Sequence, residues 1–507
     1  MHQLDLPRAP DRRKFLRNTA GAAALTLLDW PAVARAWTAT RPSPVRVRGV
    51  VRTPSGGLQG LAVTDGLTVV DTLADGTFEL VTTRGRPFVY VSLPAGHRIP
   101  VNPTGTARLY QHIVANGGEA EAVFELEPLE EPDERHAFLV LADIQTEDTT
   151  EMAWFHEQTV PDVQRTLGGP GREHVFGLAL GDIMSDHLEL YPEYERGVSR
   201  MGIPFFQVVG NHDLDLDALT DERSTTTFQR HFGPPWYSFD RGAVHYVVLD
   251  NVFWHGDGYL GYVGEDQLAW LEADLERVEP GRPVVVALHI PILGTRHLRE
   301  GDETPWQGLS TGNRDALYAL LDPYPATILA GHTHENEHVF QNGVHEHVCA
   351  AVCGAWWSGP ICADGAPNGY VVYEVSGESL RWRYQATGEV EDFGLRVYPA
   401  GADPAAPGEI VANVWDWDPD WRVTWLEDGV RRGEMTVRVG HDPLSVRLHQ
   451  GPALPPRRTW VDPYPTGHVF YAPAGEGTLV VEATDRFGRV LSAAVPAPGE
   501  GVAVPGR

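Results

Sequence analysis

Between residues 134 and 390, short apolar runs rich in β-branched residues alternate with polar or amphipathic stretches, which predicts an α/β domain. Two of the amphipathic stretches, Glu265–Arg277 and Arg314–Leu321, are predicted to be helices. Five apolar runs are predicted to be buried strands: Phe138–Ala142, Val175–Leu180, Phe205–Val209, Val284–Leu288 and Thr327–Ala330. This alternation makes residues 134–390 the central domain of the chain.

The segments on either side of this domain have short strand and turn patterns without helical periodicity. Residues 44–131 are predicted to form a β-sandwich whose strands include Val45–Val51, Leu67–Thr72, Gly76–Val81 and Phe88–Ser92. A stretch rich in Pro, Gly and Ala, Pro399–Gly408, predicts a linker. Residues 405–507 are then predicted to form a C-terminal β-domain.

The first 36 residues have the composition of a targeting segment. The basic run Arg12–Leu16 precedes a short apolar stretch, Ala20–Leu28, and a small-x-small site at Ala34–Ala36. This order is typical of a cleavable signal peptide, and the paired arginines favour the twin-arginine type. We therefore expect an exported protein, periplasmic or extracellular. No segment has the roughly 20 apolar residues that a transmembrane helix needs, so no transmembrane segment is expected.

The net charge and the cysteines narrow the picture further. A formal net charge of -29 argues against nucleic-acid duplex binding, which needs a basic surface. The three cysteines, Cys349, Cys353 and Cys362, are predicted to be small buried thiols, two of which could pair in an oxidising compartment. A structural zinc site that includes His345 or His347 is the less favoured alternative, because the spacing matches no known zinc signature.

Residues that bind metal ions follow the predicted strands of the central domain. They are Asp143, Gly181–Asp182, Gly210–Asp213, Leu288–His289 and Gly331–His334. Ligands collect at the carboxyl ends of strands in open α/β sheets. Carboxylates, neutral imidazoles and an amide oxygen can hold two divalent ions about 3.5–4 Å apart, an arrangement that activates water and clamps phosphate oxygens. The spacing therefore predicts a metal site for phosphoryl transfer.

This series resembles the calcineurin-like metallophosphoesterase superfamily, whose pattern is D-x-H, G-D, G-N-H-[DE], a single H and G-H-x-H. Four of the five blocks match fully, over roughly residues 136–385. The resemblance implies a four-layer α/β sandwich of two mixed sheets flanked by helices, with the two β-domains of some exported bacterial members. It also implies hydrolysis of small-molecule or envelope-derived phosphate monoesters or diesters by a hydroxide that bridges two divalent ions (Mn, Mg, Fe or Zn).

The resemblance also implies a role for each residue of the motifs. Asp182 would bridge the two ions. Asp143 and His334 would bind the first ion, and Asn211, His289 and His332 the second. His212 would be the acid that assists the leaving oxygen. Asp186 and Asp213 are equal candidates to orient His212. Trp356 and Trp357 are predicted to line the substrate entrance. The tryptophans of the segment 415–421 are predicted to be β-domain core rather than a sugar-stacking surface.

The first block departs from the superfamily pattern, because Gln145 takes the place of the histidine in D-x-H. An amide oxygen favours Mg²⁺ or Mn²⁺ over Zn²⁺. A branch of the superfamily is similar to this chain in carrying glutamine here, so Gln145 is predicted to be a metal ligand. The alternative is a degenerate member that holds one ion and acts as a cell-envelope binding protein. Six further histidines have no predicted role: His231, His245, His297, His338, His345 and His347.

Overall fold

The computed structural model describes residues 44–82, 86–168 and 172–497. The predicted signal segment, residues 1–36, lies outside the described residues. Among the described helices, none is long and apolar enough to cross a membrane.

The elements are numbered in chain order. The strands are β1 (Val45–Thr53), β2 (Gly56–Gly57), β3 (Ala62–Thr64), β4 (Val69–Asp71), β5 (Thr77–Thr82), β6 (Phe88–Val91), β7 (Tyr110–His112), β8 (Glu119–Glu125), β9 (Arg135–Leu141), β10 (Val175–Ala179), β11 (Phe205–Gln207), β12 (Tyr237–Arg241), β13 (Val244–Val248), β14 (Val252–Trp254), β15 (Tyr259–Gly261), β16 (Val284–Ala287), β17 (Ala326–Ala330), β18 (Glu337–Gln341), β19 (Val344–Val348), β20 (Gly369–Ser376), β21 (Ser379–Ala386), β22 (Arg396–Tyr398), β23 (Glu409–Asn413), β24 (Arg422–Glu427), β25 (Val430–Glu434), β26 (Thr436–Gly440), β27 (Thr466–Pro473), β28 (Leu479–Thr484) and β29 (Val490–Ala494). The helices are α1 (Thr149–Trp154), α2 (Val160–Thr166), α3 (Tyr191–Met201), α4 (Asp221–Ser224), α5 (Thr226–Phe232), α6 (Glu265–Leu275), α7 (Arg296–Arg299), α8 (Arg314–Leu321) and α9 (Pro443–His449).

Two mixed sheets form the central domain. The strand order is β11-β10-β9-β20-β21 in the first sheet and β12-β13-β16-β17-β19-β18 in the second. Strands β9, β10 and β11 are parallel, as are β13, β16, β17 and β19. A parallel bridge between Ala142 and Ala351 joins the two sheets where β9 and β19 end. The carboxyl ends of both parallel sets therefore meet at one edge.

Aromatic side chains pack the two sheets face to face. Phe138 and Phe176 of the first sheet contact Tyr246 and Phe239 of the second, each pair with ring centroids 5.5 Å apart and nearly perpendicular planes. Helices cover the outer faces; Trp270 of α6, for example, is buried in a second core beneath the second sheet. The four-layer helix–sheet–sheet–helix sandwich predicted from the sequence is confirmed.

The N-terminal segment forms two four-stranded sheets, β2-β1-β5 with β8 beside β1, and β4-β3-β6-β7. The residues of β8 alternate between exposed and buried, as expected for a strand with one face on a core. The sandwich contacts the central domain through a parallel bridge between Leu93 and Phe239, and through Trp236, whose indole donates to the Gly66 carbonyl. Strands β3, β7 and β8 are not among the strands predicted from the sequence.

The C-terminal segment also forms two four-stranded sheets, β22-β23-β27-β26 and β25-β24-β28-β29. Strand β22 pairs with β23, so the segment Pro399–Gly408 is a largely exposed loop that connects two strands of one sheet. It is not the linker between domains that the sequence had predicted. Trp415 is fully buried, and Trp417 and Trp421 pack partly buried against the sandwich core. These positions agree with the core interpretation of the segment 415–421.

Candidate metal centre

The strand ends of both central sheets deliver the predicted site residues to one place. The eight residues are Asp143 and Gln145 after β9, Asp182 after β10, Asn211 and His212 after β11, His289 after β16, and His332 and His334 after β17. Each contacts at least one other member of the set. The structure therefore brings together all seven predicted metal ligands and the predicted acid.

The backbone at these strand ends is held in a conformation that L-residues rarely adopt. Positive φ angles are found at Asp143 (48°), Gln145 (41°), Asp182 (47°), His332 (74°) and His334 (53°). Such residues are strained and persist only where the surrounding packing over-determines them.

Glycines in the motifs allow the strand ends to approach one another closely. A Cβ atom added to Gly331 would lie 2.6 Å from Asp143 Oδ2, and one added to Gly181 would lie 2.7 Å from His289 Nδ1. Both distances are shorter than real Cβ atoms tolerate, so a side chain at either position would separate the ligand-bearing loops. The glycines of G-D and G-H-x-H are thus required by packing.

His289 is the centre of the second predicted ion site. Its Nε2 lies 3.2 Å from Asp182 Oδ1, 3.1 Å from Asn211 Oδ1 and 3.2 Å from His332 Nδ1. The ligand atoms of Asp182, His289 and His332 all lie within 4.8 Å of one another. This is the close grouping of imidazole and carboxylate donors that a divalent cation requires.

The opposite ring nitrogens of the three histidines are each fixed by a backbone carbonyl. His289 Nδ1 donates to Leu180 (2.7 Å), His332 Nε2 to Gly308 (2.8 Å) and His334 Nδ1 to Gly354 (2.7 Å). These bonds fix each ring with its other nitrogen directed into the site, as in most metal-ligating histidines. Burial lowers the pKa of His289, but the Asp182 carboxylate outweighs it and raises this pKa to about 9, so the inner nitrogen holds a proton that a bound cation would replace. The residues present therefore fit a metal ion.

The first predicted ion site is built around Asp143. Its carboxylate accepts the His332 backbone N–H at 2.9 Å and 3.0 Å, and Oδ1 lies 3.5 Å from His334 Nε2. Gln145 turns its amide nitrogen to Asp182 Oδ2 at 3.3 Å, while its Oε1 lies 4.0 Å from Cys353 Sγ. A half-turn of the amide would present oxygen instead. Gln145 is thus within reach of this site, with its nitrogen towards Asp182.

Burial and neighbouring charges shift the pKa values of the two central carboxyl groups in opposite directions. Burial raises the pKa of Asp143, and the nearby Asp182 carboxylate raises it further. Burial also opposes ionisation of Asp182, but the positive charges of His289 and His212 outweigh it and lower the pKa of this carboxyl. A divalent cation would favour the charged form of both groups.

The structure distinguishes the two candidates for orienting His212. Asp186 Oδ1 lies 2.8 Å from His212 Nδ1. Asp213 instead accepts the backbone N–H groups of Ile183 and Gly210, as well as the Tyr191 hydroxyl. Asp186 orients the imidazole, whereas Asp213 braces the turns that carry Asp182 and His212.

Three sequence models of the calcineurin-like phosphoesterase family match the chain. The N-terminal model matches residues 45–129, the calcineurin-like phosphoesterase model itself matches residues 136–336, and the C-terminal model matches residues 346–491. The chain belongs to the calcineurin-like phosphoesterase family. The matched segments include every predicted ligand.

Two curated relatives, both named serine/threonine-protein phosphatase CPPED1, are similar to this family member. The protein of Homo sapiens is 26% identical over 204 residues, which is 39% of this chain and 61% of the human protein. The protein of Pongo abelii is 26% identical over 197 residues, which is 38% of this chain and 59% of that protein. The chain thus spans about three fifths of the length of the curated relatives that it matches.

Solved structures are similar at lower identity. A dimetal phosphatase from Danio rerio has a TM-score of 0.34 and 15% identity, with 50% of this chain and 97% of that chain covered. A purple acid phosphatase, PPD1, from yellow lupin (Lupinus luteus) has a TM-score of 0.37 and 13% identity, with 69% of this chain and 68% of that chain covered.

Asn251 is a positioning residue of this site that was not predicted from the sequence. Asn251 Oδ1 accepts the backbone N–H groups of His289 and Ile290, both at 3.1 Å. Its Nδ2 donates to the Ile290 carbonyl at 2.6 Å and to Thr311 Oγ1 at 2.8 Å. Asn251 thereby fixes the loop that carries His289. Its signal was available, because Asn251 closely follows the apolar run Val244–Val248.

Trp356 of the central domain and Trp460 of the C-terminal segment form an aromatic wall beside His334. Trp356 stacks on the His334 ring with centroids 4.1 Å apart and an interplanar angle of 19°. Trp460, from the loop between α9 and β27, contacts Trp356 at 4.8 Å and is 60% exposed. Trp357 is buried instead and donates to the Ile144 carbonyl at 3.0 Å. Trp356 and Trp460 therefore border the centre on the side of His334, and the Tyr259 ring lies against His332 with centroids 6.0 Å apart.

Ion pairs fix the loop that carries Trp460 to the central domain. Arg457 contacts Asp148 at 2.8 Å and Glu151 at 2.7 Å, and Arg458 contacts Glu151 at 3.1 Å. Glu151 is fully buried, and Asp148 caps the first turn of α1. The C-terminal sandwich is therefore attached at the edge where the ligands lie.

The three cysteines are buried and free. Cys353 Sγ lies 3.6 Å from His334 Nδ1 and is part of the packing around the first ion site. No disulfide and no cysteine-based zinc site links the three in the described structure, so the interpretation as small buried thiols agrees with their placement.

We expect Asp186→Asn to lower the pKa of His212. In the native protein burial lowers this pKa, but the Asp182 charge and the hydrogen bond that His212 donates to Asp186 outweigh burial and raise it to about 9. Removing the Asp186 charge therefore shifts the titration towards neutrality, which histidine NMR of the metal-free protein measures. Glu189→Gln is the matched control, because it removes an exposed carboxylate that pairs with His187 only. A His212 titration unchanged by Asp186→Asn would contradict the assignment.

Proposed function

We propose that this protein is a metal-dependent phosphoesterase that hydrolyses phosphate monoesters or diesters at the strand-end centre. The observation that carries the proposal is the contact of His289 Nε2 with Asp182, Asn211 and His332, each within 3.2 Å. The outer nitrogens of His289 and His332 are both held by backbone carbonyls, so the inner nitrogens of both rings are directed to the same point, where an ion would take the place of a proton. Membership of the calcineurin-like phosphoesterase family supports the same reaction class.

We assign two divalent ions to the centre, drawn from Mn, Mg, Fe and Zn. Asp182 would be shared; Asp143, Gln145 and His334 would complete the first ion, and Asn211, His289 and His332 the second. When bound, such ions supply an activated water and neutralise the charge of the phosphoryl group. The remaining tasks, orientation of the ester and protonation of its leaving group, fall to the chain.

His212 is the residue we assign to the leaving group. Its side chain is 32% exposed, and Asp186 holds Nδ1, so Nε2 remains to donate a proton towards the substrate. Burial lowers the pKa of His212, but Asp182 and Asp186 raise it to about 9, so the ring keeps its proton at neutral pH. A protonated imidazole beside the departing oxygen is suited to general acid catalysis.

We also propose that the protein is exported and acts in the periplasm or outside the cell. The support is the sequence of residues 1–36, with its paired arginines, short apolar stretch and small-x-small site. Substrates in that location would be small or envelope-derived phosphoesters. Because the whole chain has a net charge of -29, an anionic ester would be attracted by the local metal charge rather than by the surface as a whole.

Asp182→Asn should abolish metal-dependent hydrolysis. The substitution removes the carboxylate shared by the two proposed sites, so we expect kcat/KM to fall by about 100-fold or more. The measurement is hydrolysis of p-nitrophenyl phosphate and bis-p-nitrophenyl phosphate by metal-stripped protein reloaded with Mn²⁺, Mg²⁺ or Zn²⁺. Asp215→Asn is the control, since Asp215 contacts Thr227 away from the ligands. Turnover unaffected by Asp182→Asn, or absent with every metal, contradicts the proposal.

Trp460→Ala should weaken substrate binding more than chemistry. The exposed indole extends the aromatic wall beside His334 but has no contact with a ligand atom, so we expect KM for aromatic esters to rise about 2- to 10-fold with kcat nearly unchanged. Leu454→Ala, at an exposed position of the same loop, controls for changes in loop structure. Equal kinetic effects of the two substitutions would remove Trp460 from the substrate entrance.

A second candidate function is binding without hydrolysis, and the residue that favours it is Gln145, which takes the place of the histidine in D-x-H. Its side chain lies 3.3 Å from Asp182 and offers the first ion a neutral amide oxygen in place of an imidazole. Gln145→His separates the two functions. For an enzyme, we expect activity in the native protein and a shift of metal preference towards Zn²⁺ in the variant. Hydrolysis that is zero in the native protein and emerges only in the Gln145→His variant would identify a degenerate, one-ion binding protein.

A further inference from the structure

A second cluster of metal-ligand residues lies between the central domain and the C-terminal sandwich. His338 of β18 and His347 of β19 are directly opposite each other in an antiparallel pair, and Asp416 approaches them from the loop after β23. The donor atoms of all three lie within 4.8 Å of one another. Their side chains are almost fully buried, with exposed fractions of 0%, 0% and 6%. None of the three is among the residues assigned to the strand-end centre.

The distances suit a small tetrahedral cation. His338 Nε2 and His347 Nε2 lie 3.1 Å and 3.9 Å from Asp416 Oδ1. Bonds of about 2.0–2.1 Å in a tetrahedral zinc site place neighbouring ligand atoms about 3.4 Å apart. Asn336 Oδ1 lies 3.2 Å from His347 Nε2 and can supply a fourth donor. Two imidazole nitrogens, a carboxylate and an amide oxygen form a ligand set that suits Zn²⁺.

Surrounding residues hold each ligand with its donor atom facing inwards. The Tyr373 hydroxyl lies 2.8 Å from His347 Nδ1, and His345 Nε2 lies 3.0 Å from His338 Nδ1. The Tyr384 backbone N–H donates to the other oxygen of Asp416 at 3.1 Å. Partners of this kind on the outer nitrogens are usual around metal-ligating histidines, where they fix ring orientation.

A groove lies beside the cluster. Its volume is about 480 Å³, and its lining includes His345, Phe340, Trp382 and Arg486. His345 both lines this groove and contacts His338, so the groove borders a direct neighbour of one proposed ligand.

We propose that His338, His347, Asp416 and Asn336 form a structural zinc site that joins the central domain to the C-terminal sandwich. Asp416 is the ligand supplied by the sandwich, and the neighbouring Trp415 carbonyl already accepts a hydrogen bond from Asn336 Nδ2 at 2.9 Å. The ion would stabilise this interface by binding only the assembled form. The alternative is that the same residues form a network of hydrogen bonds without an ion, and a zinc measurement distinguishes the two.

The test is zinc stoichiometry of the full-length protein, measured by mass spectrometry after metal stripping, reloading with Zn²⁺ and desalting. Asp182→Asn serves as the background because it impairs the strand-end centre. In this background we expect one tightly held zinc ion that is lost on adding Asp416→Asn, and a zinc-dependent rise in Tm that disappears with it. Asp420→Asn, in the same loop but 70% exposed, should retain the ion.

Two further readouts keep the result decisive. If Asp416→Asn fails to fold, His347→Gln replaces it, and Co²⁺ loading reports the site because tetrahedral cobalt absorbs visible light. Equal zinc content with and without the Asp416 or His347 substitution overturns the proposal and leaves the hydrogen-bond network. Hydrolysis is assayed separately in Asp416→Asn alone, where we expect it to persist. The two proposals can therefore fail separately. A protein without phosphoesterase activity could still bind the structural zinc ion, and a protein without this zinc ion could still hydrolyse phosphoesters.

Discussion

Asp143 and Asp182 are two neighbouring carboxyl groups that are both buried. The structure around them provides the partners that offset the cost of burying them. Burying an ionised carboxylate without partners is highly unfavourable. The chain responds by surrounding Asp182 with His289 and His212 and by directing the His332 backbone N–H at Asp143. Even so, burial and mutual repulsion leave Asp143 with a raised pKa. The ionised form of Asp143 is therefore disfavoured in the metal-free centre, and a divalent cation would stabilise it.

The two central sheets supply the rigidity that such a site needs. Left-handed residues at Asp143, Asp182 and His332 are each strained, by about 1–3 kcal/mol, and the loops would relax if the strands before them could shift. The aromatic packing of Phe138 and Phe176 against the opposite sheet prevents that shift. Local strain at the strand ends and dense packing between the sheets are thus two parts of one arrangement.

The sequence was sufficient for much of the fold and for the identity of the ligands. Apolar runs followed by Asp, Asn or His placed the strand ends, because the period of burial and the position of the first polar residue are local properties. The choice between Asp186 and Asp213 was not local, since both are close to His212 in the folded chain and only the turn geometry separates them. Trp460 was not predictable for the same reason: its partner, Trp356, is far away along the chain.

The histidines of β18 and β19 occupy an intermediate position. An Asn342–Gly343 turn between alternating residues fixes the hairpin register, and that register alone places His338 opposite His347. The pairing of the two histidines therefore follows from local sequence. The proximity of Asp416 does not, because Asp416 belongs to another domain, so the histidines had no predicted role.

The loop that carries Arg457, Arg458 and Trp460 has a consequence for the order in which the molecule matures. Every ligand of the strand-end centre has been synthesised once the ribosome passes His334, and the last strand of the central sheets ends at Ala386. The aromatic wall and the ion pairs to Glu151 are completed only by residues that come well after that strand. During synthesis, the residues that complete this side of the entrance are therefore added after all the ligands and after both central sheets.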